Sequence, residues 1–95
     1  MAERVFSDTI QLEDGTIVKA KAWSVPKNPD YPEGVKYSFQ HYDPETRKTL
    51  LRFDNYNRHS GSRHHIHRKD GSTEPARFED LEEHYRKFLK EVKNE

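Results

Sequence analysis

"FEDLEEHYRKFLKEV", residues 78–92, decides what kind of fold this chain can adopt. Phe78, Leu81, Tyr85, Phe88, Leu89 and Val92 recur at three- and four-residue spacing, the period of an amphipathic helix. Acids crowd its start (Glu79, Asp80, Glu82, Glu83) and bases its end (Arg86, Lys87, Lys90, Lys93), an order that complements the helix dipole. No Ser, Thr or Asn stands immediately before Phe78, so the N-terminal cap is expected to be weak. His84 falls among polar neighbours and reads as surface. A helix over 78–93 with one apolar stripe needs one apolar surface to cover, and residues 1–77 must supply it.

Those residues read as strands. Phe6, Ile10 and Leu12 lie at even spacing, as a half-buried strand requires. "EDGT" (13–16) holds Asp-Gly, a strong hairpin turn signal. Across Ile17–Val25, Val18, Ala20 and Ala22 face one way and Lys19, Lys21 and Trp23 the other. Trp23 would shelter a lysine stem or meet a partner. The proline-rich "PKNPDYPEG" (26–34) is a loop. "VKYSFQHY" (35–42) is a third strand with Tyr37, Phe39 and His41 on one face. "DPETRK" (43–48) is a turn, and "TLLRFDN" (49–55) a fourth strand, Leu51 and Phe53 opposing Leu50, Arg52 and Asp54. "YNRHSGS" (56–62) is a polar loop, "RHHIHR" (63–68) a fifth strand, and "KDGS" (69–72) a second Asp-Gly turn. A short return strand is expected near Ala76–Phe78, where Pro75 suits an edge or a strand start. The expected fold is α+β: a meander of about five to six antiparallel strands packed on one C-terminal helix, as a single domain over 1–95.

Composition sets limits on this picture. The chain is 31% hydrophobic and 36% charged, so its core is thin and a partner or a second copy could cover part of its surface. Net charge is zero, and five Phe, five Tyr and one Trp argue against disorder. The absence of cysteine excludes disulfides, thiolate zinc sites and cysteine nucleophiles. No apolar run approaches a membrane span, and "MAERVFSDTIQL" has no apolar signal core, so a cytoplasmic protein is expected. The neutral total hides a local basic stripe. Arg58, Arg63, Arg68 and Lys69 fall within residues 55–69 with no acid among them, which a phosphate could use.

Residues 58–71, "RHSGSRHHIHRKDG", add four histidines to that stripe. On a strand, His65 and His67 share a face with Arg63, and His64, Ile66 and Arg68 share the other. Ile66 marks the core side, so His65 and His67 are displayed together, their backbones about 6.5 Å apart. Three readings follow. A His-x-His pair can ligate zinc, nickel or copper, with His59, His41 or Asp54 as the third ligand. The pair can instead cleave RNA without a metal. One imidazole takes the 2′-hydroxyl proton and the other protonates the leaving oxygen, because histidine titrates near neutral pH. Arg63, Arg68 and Lys69 would hold phosphate, Asp54 would orient a histidine, and Tyr56 could stack on a base. Or the histidines merely solvate an exposed strand, with Asp54 and Asn55 as ordinary turn formers.

The order "RFDN", polar loop, "HHIH", Gly turn, "EPARF" and amphipathic helix resembles the TumE family of small prokaryotic toxins of toxin–antitoxin pairs. "AKAWSVP" and "VKYSFQHY" fit its strands, so the resemblance covers residues 17–93, most specifically 52–78. It implies a small cytosolic growth inhibitor with an antitoxin partner, often a helix-turn-helix protein. The matching positions are Asp54, Asn55, His65 and His67, with Glu74 as a further one. His64 is an addition to the pattern, and the acid at the helix start replaces a small capping residue. The combined expectation is a toxin acting on RNA through His65 and His67, with no cofactor. A binding module for protein or single-stranded nucleic acid, or a divalent-metal site at His65, His67 and His59, is the alternative.

Overall fold

A computed structural model describes residues 3–27, 29, 31–55 and 64–93. The chain forms six strands and then a helix: β1 (Glu3–Gln11), β2 (Ile17–Ser24), β3 (Val35–Tyr42), β4 (Thr49–Asp54), β5 (His65–Arg68), β6 (Thr73–Pro75) and α1 (Leu81–Lys93). The strands pair antiparallel in sequence order, β1-β2-β3-β4-β5-β6, the expected meander.

The two Asp-Gly turns are built alike. In the first, Leu12 N–H donates to Thr16 O at 2.9 Å, Gly15 N–H to Leu12 O at 3.0 Å, and Thr16 N–H to Asp14 Oδ1 at 2.9 Å. In the second, Arg68 N–H donates to Ser72 O at 2.9 Å, Gly71 N–H to Arg68 O at 3.0 Å, and Ser72 N–H to Asp70 Oδ1 at 2.8 Å. Gly15 and Gly71 carry φ of 89° and 88°, where a Cβ would strain the backbone. The same pentapeptide logic thus reverses the chain at both ends of the sheet sequence.

Alternation then sorts the side chains. Val18, Ala20, Ala22, Tyr37, Phe39, Leu51 and Phe53 are buried on one face, joined by Phe88 and Val92 of α1. Ala20 and Ala22 are short, and the rings of Phe6, Phe39 and Tyr85 fill the space above them. Phe6 and Tyr85 lie 4.9 Å apart, and Phe39 and Tyr85 5.1 Å. Phe88 meets Phe53 edge-on at 5.2 Å.

The helix begins three residues later than its spacing predicts, at Leu81. Asp80 is the reason: Glu83 N–H donates to Asp80 Oδ1 at 2.8 Å, so an aspartate supplies the cap that the search for Ser, Thr or Asn missed. Phe78 instead lies before the helix, stacked on His64 at 4.5 Å. The return strand is Thr73–Pro75 rather than Ala76–Phe78, because the tight turn leads straight into Thr73, which pairs with His67. His84, expected on the surface, is only 1% exposed. The buried stripe of α1 runs His84–Phe88–Val92, and histidine takes an apolar position within it. No helix among the described residues is long and apolar enough to cross a membrane.

Candidate functional site

The β4–β5 register places Asp54 opposite His65 and Arg52 opposite His67. Paired residues share a face, so all four lie together on the side of the sheet away from α1. The Asp54 carboxylate is their centre and is 4% exposed. Arg52 Nε lies 2.9 Å from Oδ2, His67 Nε2 3.4 Å from Oδ1, and His65 Nδ1 3.9 Å from Oδ1. The two imidazole rings are 6.0 Å apart. His67 Nδ1 also lies 3.3 Å from the hydroxyl of Thr73 on β6. The carboxylate and the hydroxyl brace the His67 ring from two sides, and its side chain keeps 36% of its surface in solvent. His65 is buried beside it.

One donor atom each from Asp54, His65 and His67 lie within 4.8 Å of one another, close enough to share one cation. Arg52 weighs against that use. A guanidinium 2.9 Å from the same carboxylate already neutralises it and would repel a divalent ion. The donor set is better suited to holding two histidines and an arginine around one anion.

Asn55 has a different task. Its side chain is buried. Oδ1 accepts from Tyr37 N–H at 2.9 Å, and Nδ2 donates to Val35 O at 2.7 Å. The side-chain amide replaces the next rung of the ladder where β4 leaves the sheet. Arg68, expected to hold phosphate beside His65 and His67, lies on the opposite face by alternation. It is engaged by Glu74 (3.0 Å) and by Glu91 of α1 (3.4 Å). Those carboxylates raise its already high pKa, Glu74 most, and Glu74 is lowered in return. Lys69 is exposed in the second turn. Arg63, His59 and Tyr56 lie outside the described residues. His41, rather than offering a ligand, is buried and shares a hydrogen bond with Thr16 Oγ1 at 2.9 Å. Arg52 is the member of the cluster that sequence reasoning passed over, although its spacing from Asp54 already put the two on one face.

Beneath the sheet lies a second polar group. The Tyr37 hydroxyl is 2.7 Å from His84 Nε2 and 2.9 Å from His64 Nδ1, and His64 Nε2 is 3.3 Å from Glu33 Oε2. Burial raises the Tyr37 pKa well above the ordinary tyrosine range, with the Asp54 and Glu33 charges adding to it. Burial likewise drives His84 down to about 4, helped by His64 and Lys87. One proton arrangement suits every contact. His84 Nε2–H donates to the Tyr37 oxygen, Tyr37 O–H donates to His64 Nδ1, and His64 Nε2–H donates to Glu33. Only a lone pair then stays unused, on His84 Nδ1, which has no hydrogen-bond partner among the described residues. The "HHIH" stretch therefore splits: His64 joins the polar group on the helix side, and His65 and His67 stand with Asp54 on the other face.

The family model for Toxin TumE matches residues 2–95, nearly the whole chain. The chain belongs to the TumE toxin family. No curated protein and no solved structure matches it. As a TumE toxin it belongs with a cognate antitoxin. The resemblance carried by residues 52–78 thus extends across every strand and the helix, and the Asp54–His65–His67 cluster sits within the part on which it was most specific.

Proposed function

We propose that this TumE toxin inhibits growth by cleaving RNA at the Asp54–His65–His67–Arg52 cluster, without a metal. The convergence of two histidines on one buried carboxylate, in reach of an arginine, carries this reading. One imidazole takes the proton of a ribose 2′-hydroxyl as its oxygen bonds to phosphorus. The other, as imidazolium, gives its proton to the 5′-oxygen as the P–O5′ bond breaks. The products are a 2′,3′-cyclic phosphate and a 5′-hydroxyl. Atoms and charge balance without a co-reactant. His67, with Nε2–H held by Asp54 and its ring partly in solvent, suits the base, taking the proton at Nδ1 as the ribose hydroxyl displaces that of Thr73. His65 is then the acid. Arg52 is placed to meet the charge that builds on the phosphate. Lys69, in the turn after β5, is a candidate phosphate contact, as is Arg63, which lies outside the described residues. The antitoxin, by the family resemblance a helix-turn-helix protein, would silence the toxin by binding it in the cytoplasm.

The test is total cellular RNA integrity after induced expression of wild type and of His65→Ala/His67→Ala. Loss of RNA with wild type alone supports the reading. Intact RNA in both, with folded and abundant protein, overturns it. Cleavage that a chelator abolishes and one metal restores would assign the cluster to a cation instead.

A further inference from the structure

We propose that the open face of the sheet is a track for single-stranded RNA, leading one phosphate to His65 and His67. The inference rests on the ribonuclease reading above and names how its substrate is held.

Among the described residues, the helix covers only the face that carries the apolar cluster. On the other, the strand register lines up rows that cross the sheet. One runs Thr9, Lys19, Gln40, Arg52, His67, Thr73, and its neighbour runs Ser7, Lys21, Ser38, Asp54, His65. A third pairs Arg4, Trp23 and Lys36. Cations on this face are therefore Arg4, Lys19, Lys21, Lys36 and Arg52. Asp54 is the sole acid there among the described strand residues, and it is already enclosed by Arg52 and the histidines. The strand acids Asp8 and Glu74 lie on the helix side, where Arg68 lies too.

The face also offers rings. Trp23 is half-buried between Arg4 and Lys36. Tyr42 is half-buried too, with Lys19 Nζ 6.0 Å from its ring centre. Cations interleaved with aromatic rings on a sheet face suit an extended single strand, whose phosphates meet the cations while its nucleobases stack on the rings. Strands lie about 4.8 Å apart, so the row from Lys19 on β2 to His67 on β5 spans roughly 14 Å. That is room for a short run of nucleotides ending at the catalytic pair. A rigid duplex would not stack on Trp23. A single strand would, and it also leaves the 2′-hydroxyl free to align with the phosphate.

The experiment is fluorescence anisotropy with a labelled, uncleavable 2′-O-methyl RNA oligonucleotide, read at low and moderate salt. Lys19→Glu/Lys21→Glu is expected to weaken binding at least tenfold and to flatten the salt dependence. Trp23→Ala is expected to weaken it several-fold. The track is overturned if wild type does not bind, or if Lys19→Glu/Lys21→Glu, with an unchanged unfolding midpoint, binds and degrades RNA like wild type. It is overturned equally if that variant loses only its grip on the antitoxin. Binding that follows the expected pattern in a protein that leaves RNA intact would sink the cleavage reading and keep the track.

Discussion

The Tyr37 hydroxyl lies 2.7 Å from Nε2 of His84, and both residues are shut away from solvent between sheet and helix. The contact joins β3 to α1 through a polar link inside an aromatic core. Removing the hydroxyl leaves His64 and His84 without their shared partner in a place water does not reach. Tyr37→Phe is therefore expected to cost about 1–3 kcal/mol, measured as a shift in urea unfolding. An unchanged midpoint would mean that the two histidines find other partners.

His84 also makes stability depend on pH, with a definite sign. Folding holds its pKa at about 4, against an ordinary 6.5. Between those values the unfolded chain binds a proton that the folded chain refuses. The stabilisation is complete above pH 6.5 and drains away as pH falls toward 4, a loss of about 3 kcal/mol. Unfolding midpoints at pH 7 and pH 4.5 should diverge in wild type and converge in His84→Gln. Equal drops in both proteins would place the titration elsewhere.

Asp54 and Asn55 are neighbours with separable duties. Asp54→Asn keeps the shape but removes the charge that orients His67, and is expected to lower RNA cleavage by about 100-fold with the fold intact. Asn55→Ala removes the acceptor for Tyr37 N–H and the donor to Val35 O, and is expected to destabilise by about 1–3 kcal/mol. Circular dichroism melts beside cleavage rates separate the two. A stable Asn55→Ala protein without activity would bring Asn55 into the chemistry.

Two arginines give the complementary contrast. Arg68 spends its guanidinium on Glu74 and Glu91, both well exposed, so Arg68→Ala is expected to cost less than about 1 kcal/mol and to leave growth inhibition unchanged. Arg52→Ala strips the cation from the site and is expected to abolish growth inhibition. Colony counts after induction distinguish them, and the reverse result would move the phosphate contact to the helix side.

Much of this was legible in the residues. Two Asp-Gly turns, even-spaced strands and a three-and-four helix spacing are local signals, and each corresponds to an element. Misplaced features depended on tertiary partners. The cap is the exception: Asp80 is a local signal, hidden because the apolar spacing already begins at Phe78. His84 is polar by type, yet it sits in the stripe of Phe88 and Val92, and only a tyrosine on β3 makes its burial tolerable. His41 looked isolated because Thr16, its partner, lies 25 residues away in sequence. Arg68 was grouped with His65 and His67 by nearness in the chain, although strand alternation separates them.

β5 is four residues long, and its two sides have opposite fates: His65 and His67 join the open cluster, while Ile66 packs under the helix and Arg68 is tied to it. Which pair goes where is a matter of odd and even. The parity of β5 is set by the pairing with β4, where Asp54 stands opposite His65 and Phe53 opposite Ile66, and a slip by one there exchanges the two sides. The imidazoles would be turned toward the core and isoleucine toward water. A slip by two would preserve the parity. The register of β5 on β4 therefore decides where the imidazoles stand as closely as the identity of the histidines themselves.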